Sequence, residues 1–201
     1  MTVATVRLPA TDPDVRLARA RFAASNAASE SFFAANGDAV AHACRAMAER
    51  FQAGARLRVY GEGARCSDVA HVVVEFMHPV IVGKRALPAV ALVASGGQGR
   101  RSTPLDRLGT VGRSGDMLMV MTDGSPGESD RAMLAHAAAA GLLTLTLIGG
   151  TSEDERRLPA PHLTFAVPSN DACIVQETHE MLYHVLWELV HVFLEHRAVR
   201  A

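Results

Sequence analysis

Five short, largely apolar stretches recur along this chain: Leu57–Tyr60, Leu87–Val93, Met117–Met121, Leu142–Ile148 and Leu163–Val167. Each is bounded by glycine, proline or a polar turn, the pattern of strands buried on both faces. Between and after them lie stretches with apolar residues every three or four positions, which predict helices over Ser67–Phe76, Asp130–Ala140 and Ala172–His196. Strands alternating with helices imply a parallel sheet covered on both faces by right-handed crossovers. Residues 1–11 read as a loose leader. From Pro13 a helical spacing places Leu17, Phe22, Phe32 and Phe33 on one buried stripe, Asn36-Gly37 reads as a stop, and Asp38 as the cap of a second helix, Ala39–Gln52. Two helices ahead of the first strand form either an arm that packs on a neighbouring subunit or a simple cover for one face of the sheet.

Composition narrows the class. With 201 residues, 49% hydrophobic and 20% charged, the chain suits a single α/β domain, with residues 1–36 as leader and helical arm and 37–201 as core. A net charge of −1 supplies no general attraction to nucleic acid or to an anionic membrane surface. Cys44, Cys66 and Cys173 are an odd number, far apart, which fits a reducing compartment and a cytoplasmic location. There is no basic segment followed by an apolar one at the start, and no uncharged apolar run near the roughly 20 residues that span a bilayer.

Four places carry candidate chemistry. Val59-Tyr60-Gly61-Glu62-Gly63-Ala64-Arg65 is a strand running through glycines into a helix, where free N–H groups receive an anion in many open α/β sheets. Arg65 there either contacts an anion or decorates the turn. The following helix carries His71 and Glu75 four residues apart, on one face, suited to one metal ion or one acid/base pair. Their alternative is a structural histidine beside a solvated glutamate. The last helix carries Gln176 and His184 among apolar neighbours. Eight residues of helix rise about 12 Å, so one chain would stretch to bring both to one ion unless a second subunit supplied one of them. Finally, Thr122–Ser129 is a hydroxyl-rich loop before a helix, either a phosphate cradle or an ordinary turn capped by Ser129.

Taken together, the Gly61-x-Gly63 turn, Asp68-x-x-His71-x-x-x-Glu75, Leu87-Pro88-Ala89-Val90-Ala91-Leu92, Gly115-Asp116-Met117-Leu118, the loop ending Gly127-Glu128-Ser129, and Asp171 followed by Gln176-Glu177-Thr178-His179 and His184 resemble the sugar isomerase (SIS) domain family. The similarity is greatest to its phosphoheptose isomerase branch. This resemblance implies a flavodoxin-like, three-layer α-β-α fold around a roughly five-stranded parallel sheet, assembled as a homotetramer with active sites between subunits. It implies aldose–ketose isomerisation of a sugar phosphate, sedoheptulose 7-phosphate, through an enediol. Zinc, one ion per subunit, would be held by His71, Glu75, Gln176 and His184, with Glu75 and His184 as the acid/base pair. Substrate contacts are implied at Gly61, Glu62, Gly63, Arg65, Ser125, Gly127, Ser129, Asp171 and Gln176. Two phosphate-binding segments depart from the family pattern. Glu62 replaces an amide and Arg65 a serine in the first turn, while Gly124-Ser125-Pro126-Gly127-Glu128-Ser129 replaces a serine-richer loop. The alternatives are a non-catalytic SIS protein resembling the DnaA initiator-associating protein, which binds phosphosugars or regulates, and a metal-binding relative in which Glu62 and Arg65 read a non-phosphate ligand.

Overall fold

The computed structural model describes residues 12–93, 102–150 and 163–198, with side chains to residue 195. The leader and most of the polar loop after Val93 lie outside the described residues. The elements are α1 (Pro13–Gln52), β1 (Leu57–Tyr60), α2 (Arg65–Met77), β2 (Ala89–Ala91), α3 (Pro104–Val111), β3 (Met117–Met121), α4 (Glu128–Ala139), β4 (Leu143–Gly149), β5 (Leu163–Val167) and α5 (Ala172–Ala198). The strands form one fully parallel sheet in the order β2-β1-β3-β4-β5, the five-stranded α/β arrangement expected.

Helices α1, α2 and α5 cover one face, where Phe32, Met47, Val69 and Leu182 meet Leu57, Val59, Met119 and Leu145. On the other face α3 and α4 bring Leu108, Met133 and Leu134 against Tyr60, Leu118 and Val120. β1, β3 and β4 read as apolar runs because inner parallel strands are buried on both sides, while β5, at the edge, is only partly buried. The charged exception, Arg58, is neutralised locally. Arg58, 2% exposed, donates to Asp116 at 3.0 Å and to the Val111 carbonyl at 2.8 Å.

One expectation needs correction. No break occurs at Asn36-Gly37: α1 is one helix of 40 residues, and Asp38 lies inside it rather than capping a second helix. A mid-helix glycine costs only about 1 kcal/mol relative to alanine. Burying Phe32, Val40, Ala43, Cys44 and Met47 along one stripe outweighs that. The stretch between Thr103 and Gly112, to which the sequence reading assigns no element, forms α3. Thr103 accepts from the Asp106 N–H at 3.1 Å while Asp106 accepts from the Thr103 N–H at 3.0 Å, a capping box with Pro104 in the first turn.

Candidate metal centre and substrate crevice

Because all strands point the same way, β1, β3 and β4 end at one edge of the sheet. The chain leaves β1 toward β2 on one side and returns through β3 on the other. The Gly61–Ala64 turn and the Thr122–Gly127 loop therefore flank the switch point where open α/β sheets receive ligands. Gly61 is required by space: a Cβ there would stand 2.8 Å from Arg65 Cβ and 3.1 Å from the Met121 carbonyl oxygen. Gly63 is required by backbone, with φ +58°.

Arg65 does not reach into this crevice. It is 4% exposed, with Nη1 2.8 Å from Asp68 Oδ2. Gln176 Nε2 donates to Asp68 Oδ1 at 2.8 Å, and Gln176 Oε1 lies 3.5 Å from Arg65 Nη2. An Arg65–Asp68–Gln176 network thus ties the start of α2 to the start of α5, with Arg65 Nε buried and without a hydrogen-bond partner. Behind it, buried His179 donates Nε2–H to the Ile148 carbonyl at 3.2 Å, and burial pushes its pKa down to about 4, so the ring stays neutral.

The chemistry-bearing pair of α2 lies nearly two turns further along that helix. His71 Nε2 is 3.4 Å from Glu75 Oε1, and its Nδ1 is 2.8 Å from the Tyr183 hydroxyl and 3.7 Å from Glu180 Oε1. The His71 and His184 rings meet edge to face at 5.2 Å, with Tyr183 packed against both. Burial, first, and then Glu180 raise the Tyr183 pKa, so its hydroxyl keeps its proton. Ligand atoms of His71, Glu180 and His184 all lie within 4.8 Å of one another. A tetrahedral ion with bonds of about 2.1 Å spaces its ligands about 3.4 Å apart. Two imidazoles and a carboxylate are a donor set that fits a divalent ion, and His71 would release its bond to Tyr183 or to Glu75 on joining it. Glu180 is absent from the ligands expected from sequence. The signal for it was present: Glu180-x-x-x-His184 on α5 mirrors His71-x-x-x-Glu75 on α2.

Two hollows adjoin these groups. One, of about 650 Å³, lies between the first half of α1 and α5, lined by Arg21, Phe22, Ser25, Glu177, Glu180 and His184 among others. The other, about 370 Å³, opens beside the end of β1 and is lined by Tyr60, Glu62, Thr103, Glu128 and Ser129 among others. The expected substrate residues divide between several places. Glu62 and Ser129 line the second hollow, and Gln176 belongs to the buried network. Gly127 rather than Ser129 stands at the cap position of α4, its N–H donating to Asp130 Oδ2 at 2.7 Å. Ser125 is exposed in the same loop. Asp171 caps α5, accepting from the Cys173 and Ile174 N–H groups at 3.0 and 3.3 Å, and pairs with Arg21 at 2.8 Å. Those backbone donors, and then Arg21, hold its carboxyl below the usual range.

No protein-family model matches the chain. Curated relatives do. The phosphoheptose isomerase of Thermodesulfovibrio yellowstonii is 26% identical over 170 residues, 80% of this chain and 83% of the relative. That of Chlorobium phaeobacteroides is 31% identical over 166 residues, 77% of this chain and 73% of the relative. Among solved structures, a phosphoheptose isomerase from Francisella tularensis superposes with a TM-score of 0.75 over 89% of this chain and 98% of that one, at 21% identity. The fold is thus that of the SIS proteins, and the extent of the match to the Chlorobium protein makes this chain a member of the phosphoheptose isomerase family of isomerases.

Proposed function

We infer that this protein interconverts a ketose phosphate and an aldose phosphate, with sedoheptulose 7-phosphate as substrate, as a zinc-bearing homotetramer. One observation carries the reading: an imidazole–carboxylate pair from α2 faces a second such pair from α5 beside an open hollow. Isomerisation through an enediol needs a base to take a proton from carbon and an acid to service the neighbouring oxygen. Glu75, only partly exposed beside His71, is the base, and His184, on the wall of the hollow, handles the oxygen-bound proton. Tyr183 holds the His71 ring in place. A divalent ion, when bound, supplies polarisation of the carbonyl and stabilisation of enediolate charge.

A second reading is favoured at the crevice. Glu62 and Glu128 line the hollow beside β1, and Arg65 is turned inward and neutralised by Asp68, so the described residues there suit a sugar hydroxyl better than a phosphate. One assay separates the two readings: turnover of sedoheptulose 7-phosphate, other ketose and aldose phosphates, and their unphosphorylated forms. The first reading expects conversion of the heptulose phosphate, abolished by Glu75→Gln and by His184→Ala. Conversion of unphosphorylated sugars alone would transfer the assignment to the second reading. No turnover of any sugar, or normal turnover in either variant, would sink the catalytic roles.

A further inference from the structure

We propose that Tyr183 is a positioning residue for the metal centre: its hydroxyl holds the Nδ1 edge of His71, so that Nε2, beside Glu75, is the ring nitrogen left for a divalent ion. The inference rests on the metal-dependent reading above, leaves the ligands implied by resemblance in place, and adds a residue that the resemblance did not name. Tyr183 is 1% exposed, and its hydroxyl lies 2.8 Å from His71 Nδ1. On the opposite edge of the ring, Nε2 stands 3.4 Å from Glu75 Oε1. That is the spacing of neighbouring ligands on a tetrahedral ion with bonds of about 2.1 Å. Edge-to-face contacts of Tyr183 with His71 and His184, at 5.3 and 4.9 Å between centroids, fix where the phenol ring directs its hydroxyl. Glu180 Oε1 approaches the same Nδ1 only to 3.7 Å, beyond hydrogen-bond reach.

A hydroxyl suits this place because it both donates and accepts, whereas a neutral imidazole offers one N–H and one lone pair. Where Nε2 bears the ring proton, it points at the Glu75 carboxylate, and Tyr183 donates to the Nδ1 lone pair. Where the Nε2 lone pair is given to a cation, the proton stands on Nδ1 and the Tyr183 oxygen accepts from it. The hydroxyl turns over and the imidazole stays where it is. A partner of this kind fixes both the orientation and the tautomer of a ligating histidine. Turning the ring to offer Nδ1 instead would strip a buried hydroxyl of this bond, which burial makes unfavourable.

The test compares wild type, Tyr183→Phe and Glu180→Gln at full length, by Zn²⁺ calorimetry and by long-range ¹⁵N–¹H spectra of the histidine rings at a pH where they are neutral. Tyr183→Phe keeps the ring packing and removes only the hydroxyl, and far-UV circular dichroism checks that each variant is folded. Tyr183→Phe is expected to weaken Zn²⁺ binding by roughly 10–100-fold, the effect of losing an outer hydrogen bond to a ligand, and Glu180→Gln by less than the lower end of that range. Wild-type His71 is expected to show a single tautomer, protonated on Nε2 before Zn²⁺ is added and on Nδ1 afterwards, and Tyr183→Phe a mixture before addition. Unchanged affinity in Tyr183→Phe, a larger loss in Glu180→Gln, or coordination through Nδ1 overturns the proposal, as does a wild type that binds no Zn²⁺. If Tyr183→Phe does not fold, the wild-type spectra decide alone, through the nitrogen that bears the proton once Zn²⁺ is bound. Sugar turnover is measured on the same samples. An active, Zn²⁺-binding enzyme indifferent to Tyr183→Phe removes the role of Tyr183 and leaves the proposed function standing, whereas loss of both Zn²⁺ binding and turnover in wild type removes the reading beneath it.

Discussion

Arg58 shows how a single side chain inside a strand is reconciled with burial. Its guanidinium meets Asp116, which also accepts from the Arg56 N–H at 2.8 Å and the Arg113 N–H at 3.2 Å, so the carboxylate closes the entry to β3 while neutralising β1. Removing one partner of such a pair leaves an uncompensated charge out of water. Arg58→Met is therefore expected to lower unfolding free energy by about 3–5 kcal/mol, read from urea denaturation midpoints. The same reasoning applies to Arg65, which reads from sequence as an anion contact or a decoration of the turn. Asp68, three residues on, takes its charge. Buried Cys44 has its pKa pushed up to about 12 by desolvation, consistent with an inert core thiol, while Cys66 and Cys173 are exposed.

The helices carry the clearest lesson about local signals. Gly37 lies within α1, a Cβ placed there meets nothing within 4 Å, and its φ is not positive. Gly37→Ala is therefore expected to raise stability by about 0.5–1 kcal/mol, visible as a higher melting temperature. A true stop at this position would show the opposite sign. At the other end of the molecule, Asp171 caps α5 and pairs with Arg21 of α1. Its folded pKa lies below its unfolded one, so its contribution is present above the ordinary aspartate range and is lost as pH falls through the lowered folded value. Asp171→Asn should lower the melting temperature at pH 7, with the gap to wild type shrinking toward pH 3. A gap that stays constant with pH would remove the charge from the account. Strand positions, the α2 turn and the His71/Glu75 spacing were all legible in the sequence because each is set by neighbours within a few residues. The run through Gly37 was not, because helix continuity there is decided by packing of α1 on α5 and β5.

Viewed whole, the molecule buries Phe32 of the expected stripe but leaves Leu17 72% and Phe22 69% exposed, and Phe22 lines the hollow that also contains Glu180 and His184. Under the homotetramer proposed above, another subunit covers them. Sedimentation velocity is expected to give a tetramer for wild type and smaller species for Leu17→Ser/Phe22→Ser; a wild-type monomer would refute the assembly. Among the described residues no helix is long and apolar enough to cross a membrane. Hydrophobic periodicity was enough to assign a parallel α/β sheet and to put an imidazole beside a carboxylate on α2, since burial and helical pitch act along the chain. Which groups meet across more than a hundred residues was settled only by the folded packing: Gln176 with Asp68, Tyr183 and Glu180 with His71, His184 with His71. Spacing records the face on which a side chain stands, while its partner depends on how two helices are set against one sheet, and that register is a property of the whole core.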